Sequence, residues 1–409
     1  MPRKLITLLG KAQQNGDYRK ARYDFTPHGG TIIETAYIGL ALDRHIQSDQ
    51  LIILGTSASM WDNLFQQIGL TCHEEALLAL IEAQSQDAVS TEHLEPLAQA
   101  ASRQLGKHIH CQLIPYGKTE AEQTATISQI LGHFAPGDSA ILDVTHGLRH
   151  LPMLIEQVAN LLPTLRSTRI EGIYYGALDL TPPSPNDKTP VMRLDGLQII
   201  NQWQNALAVY DYSGNIAVFA PILENIGISE AAIRILKQAA FAEQTHNLRQ
   251  SRDKIQNFLA LLGKEPDSEL LSLIRPTLHQ RLSLDKNSPP WHQRFHMAEQ
   301  ALKHKDYLRA ALYGHEAICE RILEHIGFDS DEYTERNKEV MDYIKKLKTL
   351  KLGAENNKKI SHHFHAQRKI RNMLAHGEED EQIRAILNNE EKLAQTLKDC
   401  LHHLKTLTL

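Results

Sequence analysis

The apolar pattern of this chain changes period once, and that change limits the fold more than any single motif. In the first half, short apolar runs at residues 5–9, 51–54, 108–114, 139–143, 170–175 and 191–194 read as strands. Helical stretches at 31–44, 120–134 and 148–165 lie between them. Such alternation implies parallel strands joined by right-handed crossovers. Residues 74–105 read as a helical insertion between the second and third strands, and Thr181-Pro182-Pro183-Ser184-Pro185-Asn186 as the loop of a closing hairpin. After about residue 198 the strand signals stop. Helical patterns continue, broken at Ser213-Gly214, at Gly263-Lys264-Glu265-Pro266 and at Asn287-Ser288-Pro289-Pro290. Ile383, Ile386, Leu387, Leu393, Leu397, Leu401 and Leu404 form one helical stripe. Leu308, Ala311, Leu312, His315, Cys319, Ile322 and Leu323 form another; both read as bundle core. The expected architecture is an α/β Rossmann-like amino-terminal domain with a mostly parallel sheet (1–198), then an all-α carboxy-terminal domain (199–409).

A chain of 409 residues is long enough for two or three well-filled cores. No apolar run approaches the roughly 20 residues of a membrane span, and the segment from Met1 to Thr7 is too short in apolar residues for a signal peptide. Cys72, Cys111, Cys319 and Cys400 are far apart, which suggests neither a disulfide framework nor a zinc finger and fits a reducing cytoplasm. A net charge of −5 argues against a coat for duplex DNA, so no DNA partner is expected. The charge is unevenly spread: residues 336–371 carry eleven Lys and Arg against three acids. This is either a footprint for a polyanion or a solvated helical face.

Two segments carry chemistry. Asp143-Val144-Thr145-His146-Gly147-Leu148-Arg149-His150 follows an apolar strand and precedes a helical stretch. Open α/β sheets bind ligands at such strand-to-helix turns, where backbone N–H groups and the positive helix end attract phosphate. Thr145 and His146 offer side-chain donors, Gly147 lets a ligand approach the backbone, and Arg149 adds a fixed charge. The second segment is Arg371-Asn372-Met373-Leu374-Ala375-His376-Gly377, at an expected helix end. Asn372 and His376 share a helix face, with Arg371 about 100° around. Histidine suits proton transfer near neutrality, and arginine forks onto phosphate oxygens. Together they could cleave RNA without a metal: the 2′-hydroxyl attacks its phosphate, histidine moves protons and arginine stabilises the charge on phosphorus. The Arg–x4–His spacing recurs at Arg103–His108, so position and surrounding charge must decide; a structural helix-end histidine is the other reading.

Together the two segments resemble the CRISPR-associated proteins marked by a D-x-T-H-G motif, built from a CARF domain and a HEPN domain. Leu8-Leu9-Gly10, Tyr18, Tyr23 and Glu34-Thr35-Ala36-Tyr37 are similar to the family's opening. Leu51-Ile52-Ile53-Leu54-Gly55-Thr56, Ala58 and Trp61-Asp62 are similar to its second strand. The likeness covers residues 1 to about 200 and, beyond them, chiefly R-N-x-x-x-H. It implies a CARF domain that binds a cyclic oligoadenylate, with cyclic tetra-adenylate the expected ring although no residue separates four adenylates from six. It also implies a HEPN ribonuclease switched on by that ligand, cutting single-stranded RNA without metal or other catalytic cofactor in type III CRISPR antiviral defence. By position, Arg371 and His376 match the catalytic pair and Asn372 its polar neighbour. Gly10, Lys11, Thr56 and Ser57 join Thr145, His146, Gly147 and Arg149 in the ligand cradle, and Asp143 orients the turn. Trp61 stacks on adenine or plugs the sheet edge. The resemblance implies a homodimer or larger assembly, whose two-fold axis suits a symmetric ligand.

His146 and His150 also read as plain turn and helix-start residues. His362, His363 and His365, read as preceding the catalytic helix, lack the spacing of a metal site and are expected at the surface. Two other functions stay open. The helical half could only bind RNA or a partner, leaving a non-catalytic sensor, or the first domain could also degrade its own activator.

Overall fold

The computed structural model describes residues 1–11, 20–182, 187–245, 247–283, 289–330, 332–349, 354–377 and 381–406. Tyr18, positions 183–186 of the hairpin loop, Asn287, Ser288 and Lys351 lie outside them. Two compact units divide the chain, Met1–Asn201 and Gln202–Leu409. Residue 198 falls in the helix that contains this division.

The first unit is an α/β layer structure. Its strands are β1 (Arg3–Leu8), β2 (Ala21–Asp24), β3 (Ile32–Thr35), β4 (Gln50–Gly55), β5 (His108–Leu113), β6 (Ser139–Asp143), β7 (Arg169–Gly176) and β8 (Thr189–Arg193). Its helices are α1 (Ile38–Ile46), α2 (Trp61–Ile68), α3 (Glu74–Ser85), α4 (Thr91–Leu105), α5 (Glu120–Gly132) and α6 (Leu151–Arg166). The sheet runs β3-β2-β8-β7-β6-β1-β4-β5. Strands β7, β6, β1, β4 and β5 are parallel, while β8 is antiparallel to β7 and β3 to β2. A strand covered on both faces must be apolar at successive positions. In β1, Leu5 joins the core on one face of the sheet and Ile6 the core on the other; Leu51 and Ile52 of β4 alternate likewise.

Three local expectations are corrected. Residues 31–44 are not one helix: β3 takes Ile32–Thr35 and α1 begins at Ile38, because β-branched Thr31, Ile32, Ile33 and Thr35 suit a strand. Its partner β2, unforeseen, is a four-residue alternation in which Ala21 and Tyr23 are buried and Arg22 and Asp24 half-buried. The helix after the octapeptide starts at Leu151 rather than 148, with Pro152 in its first turn.

Helix α7 (Asp195–Ser213) spans the division between the units. The second unit continues with α8 (Ala220–Asn225), α9 (Glu230–Gln244), α10 (Leu248–Leu262), α11 (Glu269–Leu282), α12 (Pro290–Lys303), α13 (Tyr307–Ile326), α14 (Tyr333–Thr349), α15 (Ala354–His376), α16 (Glu381–Leu387) and α17 (Glu390–Thr406). The stripe expected from Ile383 to Leu404 is split between α16 and α17. Asn389 lies between the two and accepts a hydrogen bond from Lys392 N at 2.9 Å, capping the second. Leu393, Leu397, Leu401 and Leu404 are buried as the pattern requires. In the α13 stripe Leu308 is the exception, 40% exposed at the helix start. No described helix is long and apolar enough to cross a membrane.

Candidate functional sites

After the β2–β3 pair at the far edge, the chain forms β4 and β5 on one side of β1, then returns to β6 and β7 on the other. The gap above β1 and β6 is therefore a topological switch point, where open α/β sheets bind ligands outside the carboxyl ends of their strands. Gly10, after β1, and His146, after β6, face each other across it: a methyl group on Gly10 would lie 3.7 Å from His146 Cβ.

A buried hydrogen-bond chain fixes the β6 side. Thr7 and Asp143 are register partners in neighbouring strands, and both are fully buried. Thr7 Oγ1 donates to Asp143 Oδ2 at 2.6 Å and accepts from Tyr37 Oη at 2.9 Å. The other carboxylate oxygen accepts from Thr145 N at 3.0 Å and Thr145 Oγ1 at 2.5 Å. Gly176 N in turn donates to Thr145 Oγ1 at 2.8 Å. Asp143 thus orients the turn. Thr145, expected to offer its hydroxyl to a ligand, has that hydrogen committed to Asp143, because a buried carboxylate needs donors more than an exposed ligand does. The same asymmetry explains the spacing in D-x-T: a carboxylate reaches the N–H and side chain two residues on.

His146 is half-buried, but its Nε2 is sealed from solvent with no hydrogen-bond partner among the described residues. Its ring centre lies 5.7 Å from that of Tyr37. Burial pushes the imidazole below its usual range, against the pull of the Asp143 carboxylate, and pushes the Asp143 carboxyl up. Gly147 has φ of 94°, a left-handed conformation that favours glycine. Arg149 and Lys11 are exposed, and neither makes an ion pair among the described residues. His150 is structural, with Nε2 2.7 Å from the Tyr116 carbonyl oxygen. No side chain caps the start of α6.

On the β4 side, the expected residues divide. Thr56 is buried and tied into its own turn: its N–H donates to Ser59 Oγ at 2.9 Å. Ser57 Oγ donates to Asp87, which also accepts from Tyr116 Oη. Asp87, supplied by the insertion between α3 and α4, and Tyr116, after β5, share no local pattern with the octapeptide and are invisible to motif reading. The Asp87 carboxyl is held below its usual range first by the Ser57 hydrogen bond, then by Tyr116. Trp61 is corrected. Its side chain is fully buried and Nε1 donates to the Thr56 carbonyl oxygen at 2.9 Å, so it plugs the sheet edge and cannot stack on a ligand.

In the second unit, α15 carries the other expected site. His376 is its last residue and exposed, and Arg371 and Asn372 are half-buried. Gly377 follows with φ of 68°, and its N–H donates to the Met373 carbonyl oxygen at 3.0 Å, closing the helix. Of the basic stretch, Lys338, Lys345, Lys346, Lys358, Lys359 and Lys369 are exposed, along α14 and α15. His362, His363 and His365 lie within α15 rather than before it. His363 is half-buried: its ring centre is 4.5 Å from that of His403, and burial pushes its pKa down to about 4. No group of three His, Cys, Asp or Glu among the described residues could hold a metal ion.

Residues 4–179 match the family model described as "CRISPR system endoribonuclease Csx1, CARF domain". The CRISPR-associated protein MJ1674 of Methanocaldococcus jannaschii is 25% identical, over 91% of this chain and 62% of its own length. The chain therefore spans less than two thirds of that relative. A solved structure, Enterococcus italicus Csm6 bound to cyclic hexa-2′-fluoro-hexa-dAMP, aligns with 100% of this chain and 96% of its own at 12% identity and a TM-score of 0.40. The motif, the switch-point crevice and the matched family model meet in one unit, so residues 4–179 are similar to the CARF domain of the Csx1 family.

Proposed function

We propose that this protein is a cyclic-oligoadenylate-activated endoribonuclease of type III CRISPR defence. The activator sits in the crevice above β1 and β6, and its phosphates face Lys11, Arg149, the Gly147 backbone and the open start of α6. The observation that carries the sensing role is the switch point itself, where Lys11 and Arg149 are exposed without an ion pair among the described residues and the start of α6 has no side-chain cap.

Cleavage is assigned to Arg371, Asn372 and His376. His376 at the exposed end of α15 can reach RNA and move protons between the 2′-hydroxyl and the leaving oxygen. Arg371 stabilises charge developing on the phosphate, and Asn372 contributes a neutral hydrogen bond. This chemistry uses no metal. The exposed lysines of α14 and α15 attract single-stranded RNA without reading its sequence. A homodimer supplies the second histidine, so that one acts as acid and the other as base, and activator binding changes how the two meet.

The test is a fluorescent RNA incubated with pure protein in EDTA, with and without cyclic tetra- and hexa-adenylate. Ring-dependent cleavage that His376→Ala abolishes and His108→Ala leaves intact is the expected result. Tight ring binding without cleavage would make the protein a sensor that acts through a partner. Arg149→Ala is expected to weaken ring binding at unchanged melting temperature; undiminished affinity would remove Arg149 from the cradle.

A further inference from the structure

Helices α13 and α15 pack together, and their contact holds polar groups where a bundle places aliphatic ones. His315 is 4% exposed and Gln367 is fully buried. His315 Nδ1 and both polar atoms of the Gln367 amide have no hydrogen-bond partner among the described residues. The Gln367 amide lies so close to Gly314 that a methyl group there would collide with it. The His315 ring centre is 5.3 Å from that of Phe364, and Nε2 is 3.8 Å from Cys319 Sγ.

These orphans match one neighbour. In the tautomer whose Nε2–H points to Cys319 Sγ, a lone pair is left on Nδ1. Burial, reinforced by Arg371 and then Arg368, lowers the His315 pKa to about 3, so the ring stays neutral in the cell. Arg371 lies four residues beyond Gln367 and shares its helix face. Long helical side chains lean back toward the amino end, which is the direction of Gln367 from Arg371. Arg371 makes no hydrogen bond or ion pair with the described residues. Arginine has five donors and no acceptor; in that tautomer His315 Nδ1, like the Gln367 amide oxygen, is an acceptor without a donor.

We propose that His315 and Gln367 are positioning residues for Arg371, accepting hydrogen bonds from its guanidinium and aiming it at the scissile phosphate. Neutral acceptors suit this task. A carboxylate would fix the guanidinium equally well but would cancel the charge the phosphate needs. The inference rests on the reading of Arg371 as a catalytic residue.

Activated full-length protein is assayed on fluorescent RNA. His315→Leu and Gln367→Leu are each expected to lower kcat about tenfold or more with KM within about twofold, the loss of one charge-assisted hydrogen bond. His315→Asn, which returns an acceptor near Nδ1, restores most of kcat. In an Arg371→Ala background, His315→Leu adds no further loss. A thermal double-mutant cycle of His315→Leu with Arg371→Ala reads the pairing without activity, and the two effects are expected to be non-additive. Additive melting shifts, or an Asn variant that folds yet stays as slow as Leu, overturn the proposal in an active enzyme. Should the wild type cut no RNA, the nuclease reading fails, and additive melting shifts alone then overturn the pairing.

Discussion

Replacing Thr7 with valine tests whether the buried chain beneath the octapeptide holds the crevice in shape. The swap keeps the side-chain shape and removes one hydroxyl. Asp143 Oδ2 loses its 2.6 Å donor, and the fully buried Tyr37 hydroxyl loses its 2.9 Å acceptor. A hydrogen bond to a charged group contributes about 1.5–3 kcal/mol, and an orphaned buried hydroxyl costs about 1–3 kcal/mol. Proton uptake by Asp143, whose carboxyl is already pushed up by burial, limits the loss. A net destabilisation of about 3 kcal/mol follows, or about 6–12 °C in melting temperature for a unit of this size. Because the substitution raises the Asp143 pKa further, the gap to wild type narrows as pH falls and the carboxyl protonates. Thr7→Ser keeps the hydroxyl and is expected to melt within a few degrees of wild type. The assay is thermal unfolding by circular dichroism, paired with cyclic-oligoadenylate affinity, which should fall as the turn loosens. A Thr7→Val protein that melts within 2 °C of wild type, roughly the resolution of the method, would refute the account.

Other substitutions probe separate parts of the structure. Trp61→Ala empties a fully buried site and is expected to lose about 3–5 kcal/mol; a stability unchanged in urea unfolding, with affinity alone reduced, would return Trp61 to the cradle. Gly147→Ala forces a side chain into a left-handed backbone at φ of 94°, costing about 1–2 kcal/mol; an unshifted denaturation midpoint would contradict that geometry. His315 titrates near 6.5 when unfolded and at about 3 in the fold. Between those values the unfolded chain takes up a proton the native state refuses, so stability is lost as pH falls. Relative to His315→Phe, the wild type should weaken by about 1.4 kcal/mol per pH unit below about 6.5. Parallel pH profiles for the two proteins would sink this.

The strand-and-helix alternation up to residue 198 and the helical pattern after it are properties of the sequence alone, because burial on both faces of a parallel sheet and on one stripe of a helix imposes different periods. The octapeptide also declared its turn, since Asp, Thr and Gly at fixed offsets have few other uses. Short-range patterns failed where the partner was distant. The strand β2 has four residues and stands only because β8 and β3 flank it. Trp61 read equally as a base-stacking aromatic and as a plug of the sheet edge, and only the Thr56 carbonyl oxygen and the surrounding core decided for the plug. Thr7, Asp87, Tyr116 and Gln367 carry no motif, and Tyr37 and His315 stand out only as part of a family likeness and of a core stripe. Each acquires its role from a residue far along the chain, because hydrogen bonds and burial are set by proximity in space, and only the tertiary structure decides which groups are near and which are left unpaired.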